Sequence, residues 1–185
     1  TDVVMIGALA SAREAGIYAA MVRLADLAVF GLTAANAITA PLISELYSTG
    51  RKAELQRLLT LSSRGVLAFT LAVSVVLVVG GKWIAGLFGP EFTSGVGALW
   101  ILLAAQVVNA ATGPVGYLMT MTGHQNAALV IQGLAAAINV GLNWLLIPLY
   151  GMAGAAIATA TAIVFWNVAM FVYVNRQLGL RSMAF

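Results

Sequence analysis

Between Gly65 and Asn175 the chain carries two formally charged residues, Lys82 and Glu91, in a run otherwise dominated by Ala, Val, Leu, Ile, Gly and aromatics. A fold in water needs a polar surface, and about a quarter of the residues of a soluble domain are charged. Here 8% are charged against 62% hydrophobic. Lipid is therefore the solvent for most of this surface. In hydrocarbon every backbone amide must find a partner within the protein, which leaves helices or a closed barrel. A barrel strand alternates apolar and polar residues. Stretches such as Val66 to Val79 and Leu145 to Ile147 show no such alternation, so the expectation is an all-α membrane bundle.

The same composition excludes other classes. The net charge of +3 comes from a surplus of Arg at one membrane face and is not a nucleic-acid signal. Cysteine is absent and His124 is the single histidine, which removes disulfides, thiolate metal sites and His clusters. No Gly-rich phosphate loop, nucleophile with a base, or paired carboxylates at helical spacing can be read. The expectation is a protein without catalytic residues, cofactor or nucleic-acid partner.

Gly, Pro and charge punctuate the rest into five full spans after a half-helix. Thr1 to Ser11 is apolar but only about 16 Å long as a helix, half a bilayer. It is read as the back half of a severed helix, making the chain one transmembrane domain from the C-terminal part of a longer transporter. Ala12 to Gly16 is expected as a turn, then a helix from about Ile17 to Tyr47 interrupted at Pro41. Arg51, Lys52, Glu54 and Arg57 form an amphipathic lead into a span from about Leu58 to Val79. Gly80 to Trp83 and Gly86 to Gly95 read as an interfacial segment with aromatics at the headgroup level. The fourth span runs from about Ala98 to Met121 across Gly113-Pro114. His124 lies in a turn and is expected to be solvated. The fifth runs to Leu149, Tyr150-Gly151 turn, and the sixth ends near Val174. Alternating the loops puts Arg51, Lys52, Arg57, Arg64, Arg176 and Arg181 on one side, against Arg13 and Lys82 on the other. Basic residues accumulate on the cytoplasmic side, which assigns the C-terminus to the cytoplasm.

Polar residues within the spans are the candidate site, because an ion at the bilayer centre costs at least about 2.5 kcal/mol on insertion scales. Arg23 and Asp26 stand three apart on one helix, and Tyr18, Arg23, Asp26, Thr33 and Asn36 share an arc of about 140°. Either the pair neutralises itself with Arg23 snorkelling, or Arg23 is a cation offered to an anionic ligand. Gln106, Asn109, Gly113, Gly116 and Thr120 fall within about 60° on the fourth span, and Gln132, Asn139 and Asn143 align likewise on the fifth. Amides can bond a neighbouring helix for about 0.6 kcal/mol each. Two carboxamide stripes beside a charged arc instead describe a cavity wall suited to a hydroxyl-rich ligand such as a sugar. Gly113 and Pro114 predict a kink, or a hinge. Gly154, Ala158 and Ala162 form a small-residue packing ridge.

The fragments "DVVMIGALAS", "AGIYAAMVRLADL", "PLISELYSTGRKAEL", "IAGLFGPEF", "GYLMTMTGHQ" and "IPLYGMAGAAIAT", in this order and spacing, resemble the second half of a polysaccharide flippase of the O-antigen type. These belong to the superfamily that also holds multidrug and toxin extruders and lipid II flippases. The resemblance covers nearly the whole chain, from the middle of a seventh helix to the end of a twelfth. It implies two six-helix bundles around a central cavity, alternating between inward-open and outward-open states. The cargo would be undecaprenyl-diphosphate-linked oligosaccharide, moved across the inner membrane, with membrane lipid and the missing N-terminal six-helix half as partners. Arg23 matches a cationic position for the diphosphate. Asp2 stands at the acidic position of the seventh helix, so Asp2 and Asp26 are the candidates for ion coupling. Two other readings stay open: a drug or cation antiporter of the same superfamily, and a membrane-embedded glycan-processing enzyme, for which only Glu14 and Glu91 stand in the outward loops.

Overall fold

The computed structural model describes residues 1–180 and 182, so Arg181, placed above with the basic tail, lies outside the described residues. The described chain is helical, with six helices: α1 (Asp2–Leu9), α2 (Ala12–Ser48), α3 (Lys52–Gly86), α4 (Val96–Thr112), α5 (Val115–Met121) and α6 (Gln125–Leu178), with a 3-10 turn at Pro90–Gly95 before α4. Four stretches are long and apolar enough to cross a membrane: α2, α3, Pro90–Thr112 and α6.

The surface inverts the soluble pattern. Val75, Val76, Val79, Trp83, Trp144, Leu145 and Leu149 lie exposed, Val79 to 82%. The interior is built from Ala and medium-sized residues in two main clusters. One gathers Ala15, Tyr18, Met21, Ala85, Val96, Leu99 and Ile147. The other gathers Ile43, Leu55, Leu59, Leu118, Met119, Met170 and Leu178. Packing of small faces inside with bulky aliphatics outward is what lipid solvation favours, since hydrocarbon does not drive large side chains inward. The chain is a multi-pass membrane protein. The two clusters also sort the loops. Arg51, Lys52 and Arg176 flank the second cluster, whereas Arg13 and the 3-10 turn flank the first.

Several helix ends differ from the sequence expectation. Ala12 to Gly16 is not a turn but the opening of α2, because Ser11 caps it by accepting the Glu14 N–H at 3.1 Å. Pro41 stands inside α2 without ending it. Gly80 and Gly81 do not close α3, which runs on through Trp83 to Gly86. Glycine is tolerated in membrane helices, and Gly81 is buried with Leu99 and Val96 lying where a larger side chain would go. The turns at Gly50 and Gly123 stand where expected. Each ends its helix with the residue after glycine bonding back: Arg51 N–H to the Leu46 carbonyl at 2.9 Å, and His124 N–H to Met119 at 2.8 Å.

α6 is 54 residues long, which as a straight rod would measure about 81 Å, far more than a bilayer. It is not straight. Gly151 has φ 55° and ψ −134°, and Asn139 Nδ2 donates to Thr159 Oγ1 at 3.3 Å across twenty positions. On a continuous helix those residues would stand about 30 Å apart. The arms 125–150 and 152–178 therefore fold back on one another. They touch at Gly154, where a Cβ would lie 2.3 Å from the Leu146 carbonyl oxygen. Gly154→Ala is expected to cost about 1–3 kcal/mol through overpacking against backbone that cannot retreat. A lowered thermal midpoint in detergent, with Gly141→Ala unchanged as the open-space control, checks it.

Candidate functional site

α1 is short and its neighbours hold it in place. Its first residue, Asp2, enters a polar cluster drawn from three other helical segments. Asp2 Oδ1 accepts from Asn143 Nδ2 at 2.9 Å. Asp2 Oδ2 accepts a short hydrogen bond from the Thr159 hydroxyl, and the Tyr18 hydroxyl lies 3.4 Å from both Asp2 Oδ2 and Thr159 Oγ1. Asn143 Nδ2 also faces Asn139 Oδ1 at 3.1 Å. Tyr18 and Asn143 are fully buried. The cluster forms one wall of a cavity of about 480 Å³ lined by Asp2, Gln132, Asn139, Thr159 and Trp166, together with alanines and Ile163.

The cluster sets one carboxylate among neutral groups, with the Asn143 amide N–H and the Thr159 hydroxyl donating to it, and a carboxylate within a membrane needs its charge balanced. Asn143 Oδ1 is buried without a hydrogen-bond partner. An oriented acceptor left bare in a low-dielectric interior is costly and points to something that fills it. Among the described residues no group of three or more His, Cys, Asp or Glu comes together.

The structure divides the other sequence candidates between separate places. Gln132, Asn139 and Asn143 share the Asp2 cavity or its wall. Gln106 and Asn109 do not. Asn109 Nδ2 donates to Gln106 Oε1 at 3.1 Å, Asn167 Nδ2 donates to Asn109 Oδ1 at 3.1 Å, and the Thr112 hydroxyl lies 2.8 Å from Asn167 Oδ1. This second network ties α4 to the second arm of α6. The two amide stripes thus form two networks rather than one wall, because each finds its hydrogen-bond partners on a different part of α6. The charged arc on α2 is also divided. Tyr18 and Asn36 are buried, while the Arg23 and Asp26 side chains are 86% and 51% exposed and 3.9 Å apart. Neither lines the Asp2 cavity, and Asp26 stands apart from Asp2. Gly113 breaks the helix outright at φ 71°, separating α4 from α5. His124 is not merely solvated: its Nδ1 is 3.1 Å from the Thr122 hydroxyl and its ring meets Tyr173 edge-on.

Three participants were not singled out as ligands from the sequence. Thr159 sits in an Ala-rich run where a hydroxyl reads as neutral filler. Asn167 is a lone amide in an apolar span, a signal that intramembrane polarity could have raised. Tyr18 was placed on the charged arc, but its hydroxyl turns to Asp2.

No family model matches the chain, and no solved structure matches it. The chain is 34% identical over 163 residues to a protein described as probable flippase AglR from Haloferax volcanii, across 85% of this chain and 34% of that protein. It therefore spans about a third of the length of the curated relative it matches. This similarity runs through most or all of the four apolar helices long enough to cross a membrane, in line with a multi-pass membrane protein.

Proposed function

We propose that the chain is the cavity-forming C-terminal lobe of a transporter that flips lipid-linked oligosaccharide across the plasma membrane, driven by a monovalent cation taken up at Asp2. The observation that supports this reading is the half-buried Asp2–Asn143–Thr159 network opening on a cavity within a membrane bundle. Counting the two arms of α6 as separate crossings gives five full spans after the short helix α1, the arrangement expected of the second lobe of a twelve-helix fold. The basic end that holds Arg51, Lys52 and Arg176 is the cytoplasmic one.

In this reading Asp2 binds a proton or Na⁺ in one state and releases it in the other, which biases the lobe between the two. Gln132, Asn139 and Thr159 supply exchangeable hydrogen bonds to hydroxyls of the glycan. Trp166 offers an aromatic face beside them. Arg23, exposed on α2, meets the diphosphate from the side that would face the other lobe, with Asp26 setting its orientation. Gln106 and Asn109 on α4 and Asn36 on α2 are secondary contacts reached as the bundle rearranges, and Gly113-Pro114 flexes between states.

Arg23 provides the test. Arg23→Ala is expected to slow translocation of a lipid-diphosphate oligosaccharide about tenfold in proteoliposomes, by removing one charge-assisted contact. Stability should stay within about 0.5 kcal/mol, since the side chain is exposed, and Arg23→Lys should restore part of the rate. Unchanged translocation in Arg23→Ala would remove the diphosphate role. The apolar part of the cavity wall, Ala135, Ala136, Ala162 and Ile163, favours a second reading, a drug antiporter. Uptake of a cationic dye in preference to the glycan would select it.

A further inference from the structure

Two of the described residues beyond α6, Leu180 and Ser182, pack back on the bundle. After Gly179 caps the helix in a left-handed turn, Leu180 is buried in the cluster that holds Leu59, Val115 and Leu118. Ser182 is buried too, and its carbonyl accepts from the Ser63 hydroxyl of α3 at 2.6 Å. Both contacts converge on the α4–α5 break. A Cβ on Gly113 would lie 2.5 Å from the Ser182 carbonyl oxygen and 2.1 Å from Ser63 Oγ, so Ser182 is seated directly against the Gly113 Cα.

Gly113 holds φ 71° and ψ −158°, a conformation outside the helical region. The angle between α4 and α5 is set by these two torsions together with those of Pro114 (φ −79°, ψ 43°), and rotation at Gly113 swings its backbone through the space the Ser182 carbonyl occupies. Val115, immediately after the break, shares its cluster with Leu180. The seated segment and the broken helix are thus mechanically one unit. We propose that the segment containing Leu180 and Ser182 is a latch: docked, it holds the α4–α5 break in the observed angle, and the break changes only when the latch lifts. This inference needs only the break, and stands whatever molecule the protein carries.

These 185 residues hold no cysteine, so a direct test is possible in the intact protein, with any cysteine elsewhere replaced by serine, reconstituted in vesicles and treated with a small water-soluble thiol reagent. Leu180→Cys should react about tenfold more slowly than Arg176→Cys, an exposed position on the same end. Adding Ser63→Ala, which removes the latch's hydrogen-bond donor, should raise the Leu180→Cys rate about fivefold. The decisive reporter is Val115→Cys, buried beside the break. Its rate should rise by a similar factor when Ser63→Ala or, separately, Leu180→Asn lifts the latch. Leu99→Cys, buried in the other cluster, should not change. The latch is overturned if Leu180→Cys reacts as fast as Arg176→Cys. It is equally overturned if Val115→Cys stays protected in both latch variants, or if Leu99→Cys rises in parallel, which would mark general loosening.

Discussion

Asp2→Asn is expected to abolish cation dependence while leaving the bundle folded. Asparagine keeps the size of the side chain and one acceptor oxygen, but it cannot carry the charge that a bound proton or Na⁺ would balance. The exchange also turns an amide N–H₂ toward Asn143 Nδ2 or the Thr159 hydroxyl, both of which donate to Asp2. One hydrogen bond is lost, for about 1–3 kcal/mol of stability. A site that binds its ion only in the folded state gains about 2.7 kcal/mol at one hundred times the dissociation constant. The thermal midpoint of the unaltered protein should therefore climb with the coupling cation, and that of Asp2→Asn should stay flat. With no difference in cation affinity between states, a gradient can no longer bias them, so the ratio of driven to undriven translocation should fall to about one. Asp26→Asn is the informative control: Asp26 is half exposed beside Arg23, so cation dependence should survive there. A midpoint that still follows the cation in Asp2→Asn would move the coupling site elsewhere.

The second large effect is structural. Gly151→Val should prevent the two arms of α6 from folding back. At φ 55° and ψ −134° a residue with a Cβ is strained by about 1–3 kcal/mol. The new atom would also fall 2.5 Å from Glu14 Oε2, so the carboxylate must swing aside. That breaks its bond from the Met152 N–H at 3.3 Å, which caps the second arm, and costs about 1 kcal/mol more. A total of roughly 2–4 kcal/mol is a large part of the 5–15 kcal/mol that holds a typical domain together. The expected outcome is a collapse of the monodisperse peak in detergent. Glu14→Ala together with Gly151→Ala removes the clash but not the backbone strain, so it should recover only part of the loss. Full recovery would show that the turn does not depend on left-handed backbone.

The helical class and most chain reversals could be read from the sequence because they follow from local chemistry. Gly50, Gly123 and Gly151 lie where an apolar run must stop, whereas Gly113-Pro114 was read as a kink within one span and is a break between α4 and α5. The misread ends, Ala12 to Gly16 and Gly80 to Trp83, share one cause. Gly and charge were taken as breaks, yet a serine cap lets Arg13 and Glu14 start a helix, and close packing against Leu99 and Val96 keeps Gly81 within one. The site was legible as residue types but not as pairings. Helical periodicity gives the face on which Asn109 or Asn143 lies, and nothing about what stands opposite. Asn143 meets Asp2 from 141 positions away, and Asn109 meets Asn167 across 58. Those partners depend on how α6 folds back, which is set by one glycine. The exposure of Arg23 was likewise beyond the sequence, since the arc it shares with Tyr18 is wide enough to straddle buried and exposed faces.

The most direct test of the account is translocation itself. The intact protein would be reconstituted into vesicles bearing a fluorescent lipid-diphosphate oligosaccharide on one leaflet, with and without a Na⁺ or proton gradient. The account predicts protein-dependent loss of label from that leaflet, faster with the gradient and insensitive to it in Asp2→Asn. Label that remains as well protected as in protein-free vesicles, under either gradient, would contradict it.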